Sequence, residues 1–252
     1  MTSESQQKTI IIGGITGGIG SALARQLIAQ GHQVSGYARD QERIDALNEE
    51  LGTAALQCDA TDAAALKTTL QDLAERHDGI DAYVHAIGSI LLKPAHMTSP
   101  DDWLKTLHVN LSSAFYALGA ATKIMQQQSY GSCLFFSTAA AQIGIANHEA
   151  IAAAKGGIEA MVRSAAATYS SKGLRINAIA PSLTDTPLAK PIIGSEQARK
   201  ISERMHPLGA IGDADDVASL AAWLISDQAR FVTGQTYVID GGISTVVPKP
   251  KV

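Results

Sequence analysis

Charged side chains supply only 17% of the 252 residues, aromatic ones only 5%, and cysteine occurs twice. The few charges nearly balance, leaving a net −4, so no basic surface is offered to a nucleic acid or an anionic membrane. No apolar run approaches the roughly 20 residues that cross a bilayer. The segment Met1 to Lys8 lacks the apolar centre of a signal peptide. Cys58 and Cys133 lie far apart and fit no metal-ligand spacing, which predicts reduced core thiols and no metal site. These absences predict a cytoplasmic globular protein with neither nucleic-acid nor membrane partners. What is plentiful is apolar: 46% of residues, many of them alanine, together with 22 glycines, a composition suited to closely approaching helices.

Short β-rich runs alternate with longer helical patterns along the whole chain. Strands are predicted at Thr9–Ile12, Gln33–Tyr37, Ala54–Gln57, Ala82–His85, Ser132–Ser137, Arg175–Ile179 and Thr236–Ile239. Several are almost continuously apolar, as strands covered on both faces must be. The intervening helices carry their own starts and stops. Ile19–Gln30 ends at Gly31, Arg43–Leu51 lies between Asp40 and Gly52, and Asp62–His77 follows Thr61 as N-cap. Ser99-Pro100 opens a helical region to about Gln128, another runs from about Asn147 to Ser171, and a further one follows Asp213. Strand-helix-strand repetition without a linker predicts one domain over residues 1–252, an α/β doubly wound parallel sheet of Rossmann type. Loose ends are expected at 1–7 and 248–252.

The first strand runs into Gly13-Gly14-Ile15-Thr16-Gly17-Gly18-Ile19-Gly20 and then a helix. Gly14, Gly18 and Gly20 let a backbone turn tightly and approach a pyrophosphate, whose charge the helix N-terminus stabilises. At the end of the second strand, where an acid would bind the ribose 2′-hydroxyl of NAD, the chain reads Ala38-Arg39. A guanidinium beside an uncharged residue suits a 2′-phosphate and favours NADP(H) over NAD(H). A solvated Arg39 paired with Asp40 is the alternative.

From Lys8 to Gly242 the chain resembles the short-chain dehydrogenase/reductase family. The glycine loop carries this resemblance together with Asp59-Ala60 after the third strand and His108-Val-Asn110-Leu. Further on it is carried by Arg175-Ile-Asn-Ala-Ile-Ala-Pro181-Ser182 and by Phe231-Val-Thr-Gly-Gln-Thr-Tyr-Val-Ile-Asp-Gly-Gly242. The resemblance implies a nicotinamide dinucleotide cofactor touching Gly14, Gly18, Ile19, Gly20, Asp59, Ala60, Lys155, Pro181, Thr184 and Thr186. It also implies an active site in which Asn110, Thr138 and Lys155 stand where the family has Asn, Ser and Lys. Departures are equally plain. Gly13 replaces a usual Thr, and His85-Ala86-Ile87-Gly88 replaces an Asn-Asn-Ala-Gly-like run.

The gravest departure is Ile151, four residues before Lys155, where the family carries its catalytic Tyr. Hydride transfer to a carbonyl develops an alkoxide that needs a proton or strong hydrogen-bond donors, and a branched hydrocarbon supplies neither. His148 lies seven residues before Lys155, on the same helical face and about 10 Å away along the axis. The family's enoyl-thioester reductases place their Tyr at that spacing, which makes His148 the candidate replacement. The helix N-terminus and cationic Lys155 would disfavour a charged ring, so a neutral N–H donor is expected. A helix-cap residue without chemistry is the alternative.

The expectation is therefore an NADPH-dependent reductase of a small apolar carbonyl compound, or the reverse oxidation, with residues 183–207 as substrate lid. A C=C reductase and a non-catalytic NADP-binding sensor or scaffold remain open. Small residues around the Asn147–Ser171 helix, which the family pairs across a two-fold axis, predict a homo-oligomer, tetramer or dimer.

Overall fold

The computed structural model of the protein describes residues 7–248. Apart from Gln7 and Pro248, the loose ends expected at 1–7 and 248–252 lie outside the described residues. Among the described residues nine strands form: β1 (Thr9–Gly13), β2 (Gln33–Ala38), β3 (Leu56–Gln57), β4 (Ala82–His85), β5 (Gly131–Phe136), β6 (Leu174–Pro181), β7 (Thr184–Asp185), β8 (Gly212–Asp213) and β9 (Thr236–Ile239). Seven make one parallel sheet in the order β3-β2-β1-β4-β5-β6-β9, while β7 and β8 pair separately. The order reverses between β1 and β4, and a crevice opens there at the carboxyl ends of the strands.

The helices are α1 (Gly18–Ala29), α2 (Gln41–Leu51), α3 (Ala63–Arg76), α4 (Pro100–Leu107), α5 (Ser113–Gln128), α6 (Glu149–Tyr169), α7 (Lys190–Ile193), α8 (Glu196–Met205) and α9 (Ala214–Ile225). Both sheet faces are covered, and the side-chain alternation of β1 shows how. Ile10 and Ile12 enter one core with Leu23 and Leu27 of α1 and Val217 and Ala221 of α9. Ile11 enters the other with Leu66 and Leu70 of α3, Ala117 and Ala121 of α5, and Ile158 and Val162 of α6.

Three predicted boundaries change for identifiable reasons. The strand expected from Ala54 begins only at Leu56, because Asn48 of α2 bonds both the N–H and the carbonyl of Ala55. Asp62, not Thr61, caps α3, its carboxylate accepting from the Ala64 and Ala65 amides. The helix expected from Pro100 to Gln128 is interrupted at His108–Ser112 by a widened π turn. There Asn110 Nδ2 donates to the Thr106 carbonyl at 3.0 Å and Ser113 Oγ to that of Val109 at 2.6 Å, so side chains intrude on the helical ladder.

Candidate active site

The loop between β1 and α1 works only with glycine at its key positions. Gly14 has φ +79°, and a Cβ there would lie 2.7 Å from the Ala86 carbonyl oxygen; one on Gly20 would lie 2.3 Å from that of Gly14. α1 starts without a side-chain cap and without an acid in its first turn, leaving its N–H groups free for an anion. A cleft of about 450 Å³ runs from Gly14, Gly18 and Ile19 past Thr186 to Arg39, Asp59 and Ala60. These features fit a dinucleotide: a cradle that a Cβ would fill, an uncapped helix start and a cationic far end.

Arg39 is exposed and makes no ion pair among the described residues, so the pairing with Asp40 does not form. Arg43, which sequence reasoning missed, lines the same cleft and donates to the Thr16 carbonyl. Its position one helical turn beyond Arg39 was the available signal. Asp59 accepts from the Thr61 amide and hydroxyl, and the amide bond above all holds its carboxyl below the usual range.

The cleft continues into an inner cavity of about 170 Å³ bordered by Asn110, Thr138, Ile151, Lys155, Pro181, Thr184 and Thr186. Lys155 is buried and its Nζ donates to the Phe136 carbonyl at 2.8 Å; burial pushes the ammonium down to about 8. Asn110 sits in the π turn, with Nδ2 donating to Ser89 Oγ at 2.9 Å and Oδ1 accepting from the Ser89 amide at 3.0 Å. Thr138 Oγ1 accepts from the Ala140 amide at 3.4 Å, an arrangement that leaves its hydroxyl hydrogen available.

Ile151 is buried and borders both this cavity and an outer one of about 210 Å³. His148 borders only the outer cavity. Its Nδ1 lies 2.7 Å from the Ala146 carbonyl, which can only accept, so Nδ1 carries the hydrogen. The expectation of a neutral N–H donor is corrected on this point: the neutral ring leaves Nε2 as a lone pair, and only the cation donates from it.

Gly13 and His85, the departures noted above, belong to one buried chain. Tyr37 Oη lies 2.6 Å from Tyr83 Oη, Tyr83 Oη 2.8 Å from His85 Nδ1, and His85 Nε2 3.0 Å from Ser113 Oγ. Ser113 already donates to Val109, so it accepts from Nε2–H, which makes Nδ1 the acceptor of the Tyr83 hydroxyl and Tyr83 that of Tyr37. Burial pushes His85 down to about 3, so the ring is neutral. The chain ends on the π turn that carries Asn110. A side chain at Gly13 would meet Tyr37 Oη at 2.5 Å, which is why no Thr fits there.

A family model described as Enoyl-(Acyl carrier protein) reductase matches residues 14–244. A 3beta-hydroxysteroid dehydrogenase of Eggerthella lenta is 31% identical over 251 residues, covering 97% of this chain and 96% of that protein. A 2-(S)-hydroxypropyl-CoM dehydrogenase of Xanthobacter autotrophicus is 30% identical over 257 residues, covering 98% and 100%. A solved short-chain type dehydrogenase/reductase from Mycobacterium ulcerans superposes with a TM-score of 0.91 at 26% identity, over 95% of this chain and 90% of that one.

Proposed function

Because the chain belongs to the short-chain dehydrogenase/reductase family, we propose that it interconverts a small apolar carbonyl compound and its alcohol with NADP(H). The observation that carries this reading is the continuity of the glycine-lined cleft with the cavity of Lys155, Asn110 and Thr138. When bound, the cofactor supplies or takes up the hydride. Gly14, Gly18, Ile19, Gly20, Asp59, Ala60, Pro181, Thr184 and Thr186 are its proposed contacts. Lys155 holds the nicotinamide ribose, and Thr138 donates a hydrogen bond to the substrate oxygen. Asn110 fixes the turn behind them. Helix spacing alone supports His148 as one candidate for the proton step, as a neutral base in oxidation and an imidazolium acid in reduction.

The outer cavity supports an apolar substrate, since Ile90, Leu92, Ile145, Leu183, Ile192 and Met205 border it. The last three belong to residues 183–207, which we read as the lid. Ile151 supports a second reading, a cofactor-binding protein without catalysis, and turnover of any ketone, aldehyde or enoyl thioester by the purified protein decides against it.

NADPH is expected to bind more tightly than NADH. A guanidinium pairing with the 2′-phosphate contributes on the order of 1.5–3 kcal/mol, or about tenfold to a hundredfold in Kd. Arg39→Ala should remove most of that preference without touching NADH, and Arg43→Ala should reduce what remains. Equal affinities in the unmodified protein would remove the basis for the assignment.

A homo-oligomer, tetramer or dimer, is also expected. Phe115 of α5 is 63% exposed and Phe231 fully so, which supports further burial in an assembly. A monomer in light scattering at micromolar concentration would contradict this.

A further inference from the structure

Ser182 follows the last residue of β6 and borders both cavities, the inner one with Lys155 and the outer one with His148. Its Oγ lies 2.9 Å from Nε2 of His206, a residue that is 5% exposed. The other nitrogen of that ring, Nδ1, lies 2.7 Å from the Ser202 carbonyl. A carbonyl only accepts, so Nδ1 carries the hydrogen and Nε2 of the neutral ring is a lone pair. Ser182 therefore donates its hydroxyl hydrogen to Nε2, and its own lone pairs remain open to a ligand's O–H.

His206 is the C-cap residue of α8, beside the last carbonyls of that helix. The Asp240 carboxylate, bonded by the Gly242 and Ser244 amides, adds a negative charge nearby. His148 is the other titratable group on the outer cavity. A hydroxyl backed by an anchored imidazole base is the arrangement a hydroxyl needs to pass a proton on.

We propose that Ser182, backed by His206, exchanges the proton with the substrate oxygen, the task that Ile151 cannot perform and for which His148 lies on the outer cavity alone. This rests on the oxidoreductase reading above. In alcohol oxidation the substrate O–H proton passes to Ser182 Oγ while the Ser182 proton passes to His206 Nε2. The O–H bonding pair becomes the second C–O bond, and the C–H bond breaks with its electron pair leaving as hydride to an oxidised nicotinamide cofactor. The imidazolium so formed keeps Nδ1–H on Ser202. Reduction runs the same transfers backwards. Ser182 is catalytic in this scheme; His206, which acts through it, sets the direction of its hydrogen.

Two measurements test the pair. In nitrogen-15 spectra of the whole protein, His206 should show a protonated Nδ1 and a lone-pair Nε2 whose signal moves in Ser182→Ala; an Nε2–H tautomer, or no response, overturns the pairing. With NADP⁺ and a panel of secondary alcohols, Ser182→Ala and His206→Gln should each lower kcat on the order of a hundredfold while cofactor Kd holds. The double variant should be no worse than either single one. Additive losses, or full kcat in Ser182→Ala with the loss confined to His148→Ala, overturn the proposal while leaving the oxidoreductase reading standing. A parent that binds no nicotinamide cofactor and turns over nothing in either direction overturns both.

Discussion

Lys155→Met is expected to stabilise the unliganded protein while removing turnover, two effects of opposite sign from one substitution. The ammonium of Lys155 is buried in α6 with the Phe136 carbonyl as its bonded partner, and desolvation lowers its pKa from 10.5 to about 8. At 1.36 kcal/mol per unit, that drop corresponds to roughly 3 kcal/mol of strain when the group is charged, less the bond to Phe136 that Met forfeits. The sign follows from proton counting. Below pH 8 lysine is protonated folded and unfolded, so the full cost is present. Between about 8 and 10.5 the unfolded chain binds the extra proton, so the parent gains stability as pH rises. The advantage of Met should thus be greatest near neutrality and fade by pH 10.5. Function should go the other way. Without the donor toward the nicotinamide ribose, NADPH affinity should weaken, and kcat/KM should fall on the order of a thousandfold. Chemical denaturation across pH, with NADPH titration, checks both halves. A variant less stable than the parent at pH 7, or one with parental turnover, would contradict the assignment.

The parallel sheet was readable because its strands are apolar on both sides. Ala82–His85 and Thr236–Ile239 stand where the sequence pattern puts them, and Gly52 ends α2 with the left-handed φ of +67° expected of it. What escaped the sequence is contact between distant side chains. Nothing local marks Asn48 as the residue that takes over the backbone of Ala55, or Ser113 as the one that opens the helix at Val109. Periodicity sees a continuous helix through both Asn110 and Ser113, because neither Pro nor Gly interrupts it. The site divides the same way. The glycine loop, Arg39 and Lys155 could be put forward from the sequence because each is marked by short-range pattern or by a resemblance along the chain. Ser182 and His206 are 24 residues apart and meet only because the C-terminal end of α8 returns to the end of β6. The proton on His148 was misjudged for the same reason. Its charge environment could be argued from helix position, but the Ala146 carbonyl that fixes its tautomer is a feature of the turn.

Gly20→Ala, a single methyl group, is expected to abolish cofactor binding within a sheet that still folds. The ideal Cβ would sit 2.3 Å from the Gly14 carbonyl oxygen and 3.1 Å from Ile15 Cα, both rigid backbone that no side-chain rotation can clear. The Gly14 carbonyl must therefore move, and it is already the acceptor of the Gly17 amide at 2.9 Å, the bond that closes the loop. Gly14 cannot retreat toward β4, because its own close approach to the Ala86 carbonyl blocks that side. The loop must open outward, into the space a pyrophosphate would occupy, and the uncapped start of α1 is displaced with it. Overpacking of this kind costs about 1–3 kcal/mol of stability, which a domain of this size survives. Its effect on binding should be far larger, a loss of at least about a hundredfold in affinity for NADPH and NADH alike, since the backbone contacts to phosphate are common to both. That shared loss separates the variant from Arg39→Ala, which should spare NADH. Calorimetric titration of both cofactors, with circular dichroism to confirm the retained sheet, decides the matter. Parental affinity in Gly20→Ala would mean that this loop does not hold the dinucleotide.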